Sequence, residues 1–469
     1  MRVFDDIREL KSRQKYSEAW VVGFSALQEE MNNEYLKTAL FWVAYAALKD
    51  ITSEVRSREP MQPRAQEQEV IDGWVNSIAD LRLDLPNENI DFRLWNLFKG
   101  IGHHCGPLCN YVLSSGRSIF HDQDHEPFVT DKGESPSLVA RVARTVAQHY
   151  LLHRKSSGLP APRVVALLEY ALTAAKDGSG GKTWLEYDRA KIFLSCGEFE
   201  RARQAYLVVL KKKMTESWAW FGLAQTYPED NDKAIKLIAK GLISANEDKF
   251  AIRGYVLLAQ LSSESSAYEL SSKALVKVHR IYEANGWQLK DRVVEMMASA
   301  WFDGSVDIVR LDEELAALAE GADELAANRP VTVNGVVERV HRSGKGAEIY
   351  VDRKLQLRAK KQMFLTGSLP DCGAAVSVTF DAGSDDNTVI SVDEAPAFEA
   401  DDVRCFHGVI KVTEKGFGFV SDEIFVPPML IDGVTTNENV SGVAVMQYDQ
   451  KKNRYGWKAV SLKLEDVTV

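Results

Sequence analysis

Two short runs near the C-terminus carry the residue types best suited to chemistry: Lys415-Gly416-Phe417-Gly418-Phe419-Val420 and Ile424-Phe425-Val426-Pro427-Pro428. Phe417 and Phe419 are two residues apart, so on a β-strand they point to one face. The glycines beside them are expected to leave that face flat. An open aromatic row next to lysine suits a single-stranded nucleic acid, because bases stack on the rings and cations follow the phosphates. The candidate stacking residues are Phe417, Phe419 and Phe425, extended by Tyr455 and Trp457. The candidate phosphate contacts are Lys411, Lys415, Lys451, Lys452, Arg454 and Lys458. The competing reading makes Phe419 or Phe425 ordinary barrel core, facing inward.

These residues carry a family resemblance. Lys415 to Val420 resembles the first RNA-binding signature of cold-shock domains, and Ile424 to Val426 resembles the second. Pro427-Pro428 makes the match closer to the cold-shock domains of RNase R-type exoribonucleases than to free cold-shock proteins. The resemblance runs from Arg404 to the end and implies a small five-stranded barrel of the OB class. Gly408 to Val412 would be its first strand; Val443 to Tyr448 and Lys458 to Leu464 would be its last two. The chain departs from the family where Val412 and Thr413 replace aromatics, and where the prolines replace an aromatic-His pair. The stacking platform is correspondingly smaller. The exoribonuclease likeness stops at this domain, so no nuclease activity is expected.

Other chemistry is weighed and set aside. Gly178-Ser179-Gly180-Gly181-Lys182-Thr183 has the look of a phosphate loop, but Lys176 stands where the pattern needs glycine, and the preceding run is helical. Cys105-x3-Cys109 followed by His121-x3-His125 approaches two-Cys two-His zinc spacing. Cys105 and Cys109 also fall at helix spacing beside Trp95, Leu97 and Ile101, where thiols act as small hydrophobes. The expectation is therefore no metal and no cofactor. Nucleophile-elbow, metalloprotease and catalytic-cysteine patterns are not found. Asp381, Asp385, Asp386, Asp401 and Asp402 read as solvated turns, and the protein is expected not to be an enzyme.

The elements that must position these residues follow from periodicity. The 469 residues allow two to four domains. A net charge of −10 excludes a broad DNA-coating surface and confines any nucleic-acid site to a local basic patch. A charged start, the lack of a long apolar run and five scattered cysteines suggest a cytoplasmic protein with reduced thiols and no membrane span. Residues 1–328 read as helix, with polar loops at Thr52 to Glu69 and 121–137. The clearest repeat lies at 183–280, where Ala202, Ala234 and Ala267 recur at spacings of 32 and 33 and are expected at helix crossings. With Trp218, Phe221 and Gly222, this resembles tetratricopeptide repeats, whose period is about 34. Such stacks present a groove for a protein partner.

From Val331 the period becomes that of strands, with Val331 to Val337, Ala347 to Val351, Leu355 to Leu357, Val376 to Phe380 and Val389 to Val392. Asn334-Gly335-Val336-Val337 echoes His407-Gly408-Val409-Ile410, which suggests two tandem barrels, at 331–397 and 403–469. Arg353, Lys354, Arg358, Lys360 and Lys361 make the first barrel basic, as further phosphate contacts or as a solvated face. The fold class is thus multidomain α + β: a helical-repeat scaffold followed by two OB-like barrels. The expected function is a non-enzymatic adaptor holding a protein partner and single-stranded RNA or DNA. This build resembles accessory components of bacterial stress or phage-defence operons. A pure protein scaffold is the alternative.

Overall fold

In the computed structural model, residues 2–81, 83, 88–131, 133–175, 180–384, 386–450 and 453–465 are described. The chain divides into two units, Met1–Lys212 and Lys213–Val469. Helices fill the first unit and the start of the second, and β-sheets the rest, so the protein is multidomain α + β.

The first unit is built on apolar residues recurring at helical spacing. The helix Glu34–Arg56 buries Leu36, Leu40, Phe41, Val43, Ala44, Leu48, Thr52 and Val55, and its N-terminus is capped by the Asn33 side chain. Burial of Thr52 and Val55 carries this helix through the expected loop, which shortens to 57–64 before the helix Ala65–Asp80. Thr52 satisfies its hydroxyl on the Leu48 carbonyl at 2.7 Å. Strand β1 (Phe128–Thr130) and strand β2 (Gly133–Ser135) pair antiparallel within the helical region, a hairpin that helical periodicity does not foresee. The hairpin Gly180–Ser195 and Phe199–Leu210 closes this unit and buries Ala202 completely.

In the second unit, Ser217–Ala224 pairs with Asn231–Ile243, and Asp248–Glu264 with Tyr268–Ala284. Ala234 is buried, as expected of a crossing residue. Ala267 is not: it precedes the last helix as its N-cap and is exposed. The small residue in that helix's first turn is Ser271, fully buried, its hydroxyl bonded to the Ala267 carbonyl at 3.1 Å. The longer helix Asp248–Glu264 shifts the crossing away from the constant spacing. Phe221 is the anchor here. A Cβ on Gly254 would stand 2.2 Å from its Cζ, and one on Gly241 2.6 Å from its Cε1. Trp220, not Trp218, is the buried indole, and it donates to the Met214 carbonyl at 2.7 Å.

The strands β3 (Pro330–Val340), β4 (Gly346–Tyr350), β5 (Gln356–Lys360), β6 (Ala375–Asp381) and β7 (Thr388–Glu394) form one sheet in the order β5-β4-β3-β6-β7. A parallel bridge from Phe364 to Val392 draws its two edges together. The strands β8 (Val403–Val412), β9 (Gly418–Val420), β10 (Ile424–Val426), β11 (Asn439–Asp449) and β12 (Arg454–Ala459) repeat this order and close fully, because β12 pairs with both β10 and β11. This five-strand closed order is that of the OB class. The last strand ends earlier than Lys458 to Leu464 suggested. The chain leaves the barrel after Ala459, and β13 (Lys463–Leu464) pairs with the far end of β11. Val336 and Tyr350 of one barrel pack with Val403, Val445 and Val460 of the other, and the Tyr350 hydroxyl donates to the Met446 carbonyl at 2.6 Å.

Gly254→Ala is expected to lower stability, because overpacking against an aromatic ring costs about 1–3 kcal/mol. The same change at Gly73, where an added Cβ meets nothing within 4 Å, is expected to raise it by about 0.5–1 kcal/mol through helix propensity. Urea unfolding followed by circular dichroism of the two variants reads both signs.

Candidate nucleic-acid interface

Alternation places the phenylalanines. Gly418, Val420, Ile424 and Val426 are buried, and the last three join Ile410, Val440, Ala444 and Ala459 in the barrel core. Phe419 and Phe425 occupy the alternate positions and are half-buried on the outer face. Neither faces inward. They are direct cross-strand partners, and Phe417 lies beside both. The ring centroids are 5.8 Å apart for Phe417–Phe419, 5.7 Å for Phe417–Phe425 and 5.9 Å for Phe419–Phe425. Interplanar angles of 49–86° make this a triangle of edge and tilted contacts, a favourable geometry for aromatic rings. The turn into β9 needs Gly416 at φ +76°, and Thr413 caps it by donating its hydroxyl to the Phe417 carbonyl at 2.8 Å. Gly418 serves the core rather than the outer face: a Cβ there would sit 3.0 Å from Ile410 Cδ1.

The register extends the aromatic pair into a row across four strands. Lys411 on β8 is opposite Phe419, Phe419 is opposite Phe425, and Phe425 is beside Lys458 on β12. Three interstrand steps make this row about 14 Å long. Cations therefore stand at both ends of the rings. Lys411 is ion-paired to Asp422 at 3.1 Å, with both side chains largely exposed. Such a pair contributes about 0–1 kcal/mol, so a phosphate can displace the carboxylate. Lys458 is 3.8 Å from Glu338 of the first barrel. Lys415 is exposed and has no ion pair among the described residues.

The other expected residues are placed differently. Trp457 pairs with Ile424, is partly buried against the core and carries Arg404 4.3 Å from its ring centroid, so it does not extend the row. Tyr455 is exposed but stands with Tyr448 at 5.2 Å, under Arg353 of the first barrel at 5.3 Å. Arg454 is exposed at the start of β12. Lys451 and Lys452 lie outside the described residues, as do Asp385 and part of the phosphate-loop-like run. Arg404 was not singled out from sequence; its contact with Trp457 and its ion pair with Glu423 at 3.2 Å arise from strand closure. On the first barrel the matching face is ionic: Glu348 is 2.7 Å from Arg339 and 3.9 Å from Arg358. The hydrogen bond from Arg339 holds the Glu348 carboxyl below its ordinary pKa.

The Cys/His residues of zinc-like spacing go to separate tasks. Cys105 and Cys109 are buried in the helical core. Burial pushes both thiols up, that of Cys109 to about 12. His125 uses one ring nitrogen on the His121 carbonyl at 3.0 Å and the other on the Tyr170 hydroxyl at 2.6 Å. A different histidine group does form. His103 and His104 are in contact, His149 is in contact with His153, and His149 Nδ1 is 2.8 Å from the His103 carbonyl. Burial lowers the pKa of His103, His104 and His149, that of His104 to about 4.

Two family models match the chain. Residues 183–322 match a domain of unknown function (DUF7017). Residues 404–462 match the S1/CSD-like domain 2 of the TOTE conflict systems, and this span holds the whole Lys-Phe-Phe-Lys row. No curated protein matches. Among solved structures, the chain is similar to BtubC from P. vanneervenii at 15% identity, over 53% of this chain and 94% of that one, with a TM-score of 0.30. It is similar to the apo form of RapI at 13% identity, over 67% and 86%, with a TM-score of 0.39. A third likeness is to the C-terminal part of a TPR repeat-containing protein from Cytophaga hutchinsonii, at 10% identity over 63% and 100%, with a TM-score of 0.29.

Thiol titration at pH 8 is expected to modify the exposed Cys196 and Cys405 promptly, and Cys105 and Cys109 only on unfolding. Prompt labelling of Cys109 by mass spectrometry contradicts the placement. The histidine group also sets a pH dependence. Burial disfavours the charged form of His103, His104 and His149 in the fold, whereas unfolded histidine protonates near about 6.5. Stability is therefore full above that pH and is lost as pH falls toward 4, where the unfolded state binds more protons. The urea midpoint is expected to drop between pH 7.5 and 5, and to drop less in His104→Gln.

Proposed function

We propose that this protein is a non-enzymatic adaptor that binds single-stranded RNA or DNA on the outer face of its last barrel. The observation that carries this reading is the row Lys411, Phe419, Phe425, Lys458, with Phe417 beside it. Rings half exposed on strands two and three of an OB barrel are where such folds take oligonucleotides. A base stacked on an aromatic ring contributes about 1–3 kcal/mol. Two or three such contacts, with a few phosphates, support micromolar binding with little sequence preference. Lys415 and the displaceable Lys411 supply the first phosphate contacts.

The helical hairpins then hold a protein partner. Phe250 and Tyr268 on the repeat helices, and Trp287 just after the helix Tyr268–Ala284, are exposed and are the side chains such a partner would cover. The likeness of residues 404–462 to a domain of the TOTE conflict systems supports a place in a defence system. A second reading, a scaffold whose barrels touch only protein, draws support from Lys458, which is turned to Glu338 of the neighbouring barrel.

Fluorescence anisotropy with labelled single strands at low salt tests the reading on the full chain. Phe417→Ala with Phe425→Ala is expected to weaken binding by about tenfold or more without unfolding, since both rings lie outside the core. Replacing Lys411 and Lys415 by Ala is expected to weaken binding and flatten the log affinity against log salt slope by about 1–1.4. Equal binding by a folded double-Phe variant would sink the proposal in favour of the scaffold.

A further inference from the structure

We infer that the first unit holds a second, separate binding site, for a small organic oxyanion: a carboxylate or phosphate monoester on an apolar body. A cavity of about 270 Å³ near His125 and Trp184 has the acidic Glu134 in its wall. The cavity of this proposal, about 200 Å³, differs in its charge. Trp95, Phe98, Lys99, Arg141, Arg144 and Gln148 line it, and among the described residues none of its lining is acidic. It lies between the helix Glu88–Leu97, the turn after it and the helix Leu138–Leu152.

The three cations are not equivalent. Arg144 is already satisfied by Asp188, 2.9 Å away and almost wholly buried. Lys99 is exposed and has no ion pair among the described residues. Arg141 is the unusual one. It is half-buried, its Nε is closed off from solvent without a hydrogen-bond partner, and its guanidinium makes no hydrogen bond or ion pair among the described residues. The Phe128 ring is 5.0 Å from the guanidinium carbon, and the buried Asp124 attracts the charge without hydrogen-bonding to it. Burial pulls its pKa down, yet a guanidinium stays charged in a protein. A half-buried guanidinium with donors left unbonded is unfavourable, and a planar fork of donors is matched by a carboxylate or phosphate.

Size and lining choose the rest of the ligand. A cavity of about 150 Å³ accepts a benzene ring, so this one takes a ring-sized body and an oxyanion but not a polymer strand. Trp95 and Phe98 are almost fully buried and form an apolar wall for that body. The oxyanion then faces Arg141 and Lys99. This site is independent of the Phe row, and its test does not involve nucleic acid.

Calorimetric titration of the full chain with phenyl phosphate and with 3-phenylpropionate is the test, with benzyl alcohol as the uncharged comparison. Saturable binding of at least one anion below about 10 mM, and not of benzyl alcohol, is expected; the stronger arm identifies phosphate or carboxylate. Arg141→Met is expected to weaken that binding by about tenfold or more, and Arg141→Lys by less, because lysine keeps the charge but loses the fork. Lys99→Ala, at an exposed position without an ion pair among the described residues, is expected to weaken it about threefold, and it decides the matter if the Arg141 variants do not fold. The inference is overturned if neither anion binds, if benzyl alcohol binds as well, or if a folded Arg141→Met or Lys99→Ala protein binds like the wild type.

Discussion

Closure of the last barrel by the parallel pairing of β10 with β12 is the constraint on which the candidate interface depends. Without it, Phe425 would sit on an open edge and Lys458 would be far from it. With it, residues spread from position 411 to position 458 fall into one row across four strands. The pairing is held from inside. Val420, Ile424 and Val426 must be buried, so their neighbours Phe419 and Phe425 must point out. The exposure of the rings is a consequence of core packing and period-two alternation, not of a separate local device.

The same alternation gives opposite results in the two barrels. Both have the strand order 3-2-1-4-5 in their own numbering; the second joins strands three and five in parallel, whereas the first has, among the described residues, only the parallel bridge from Phe364, after its third strand, to Val392 on its fifth. On the first, the outward positions of strands two and three carry Glu348 and Arg358, which pair with each other and with Arg339. On that face one carboxylate is shared by two guanidiniums. On the second, the equivalent face carries half-exposed aromatic rings in mutual edge and tilted contact. One scaffold thus presents a closed ionic face and an open aromatic one. The barrels are tied by the cluster of Val336, Tyr350, Val403, Val445 and Val460, and by Glu338, which engages Gln447 at 3.2 Å and Lys458. Lys458 therefore links the candidate interface to the neighbouring barrel.

The helical part obeys a different economy. Its packing is set by close approaches at small residues, where Gly241 and Gly254 make room for Phe221. Spacing alone misplaces one of these residues: Ala267 caps a helix, and Ser271 takes the buried position instead. A hydroxyl that returns its bond to its own helix is as small as alanine for this purpose.

The local pattern by itself determined much of this protein. Helical periodicity, the change to period two after Pro330, and the alternation around Phe419 were all legible, because each depends on neighbours within a few residues. Phe417, Phe419, Phe425, Lys411 and Lys458 were candidates by type and by a resemblance, and register sets them beside one another on one face. Tertiary structure alone decided which of the candidates meet. Trp457 turned inward because β12 enters the barrel one residue out of phase with the outer face, and Tyr455 joined Tyr448 and Arg353 at the seam. Cys105 and Cys109 went to the core while His125 bonded to Tyr170, although all three matched a metal spacing. Arg141 and Lys99, 42 positions apart and in no motif, came to one cavity only through helix packing. Spacing along a chain reports direction and period; partners across elements depend on register and closure, which no local pattern encodes.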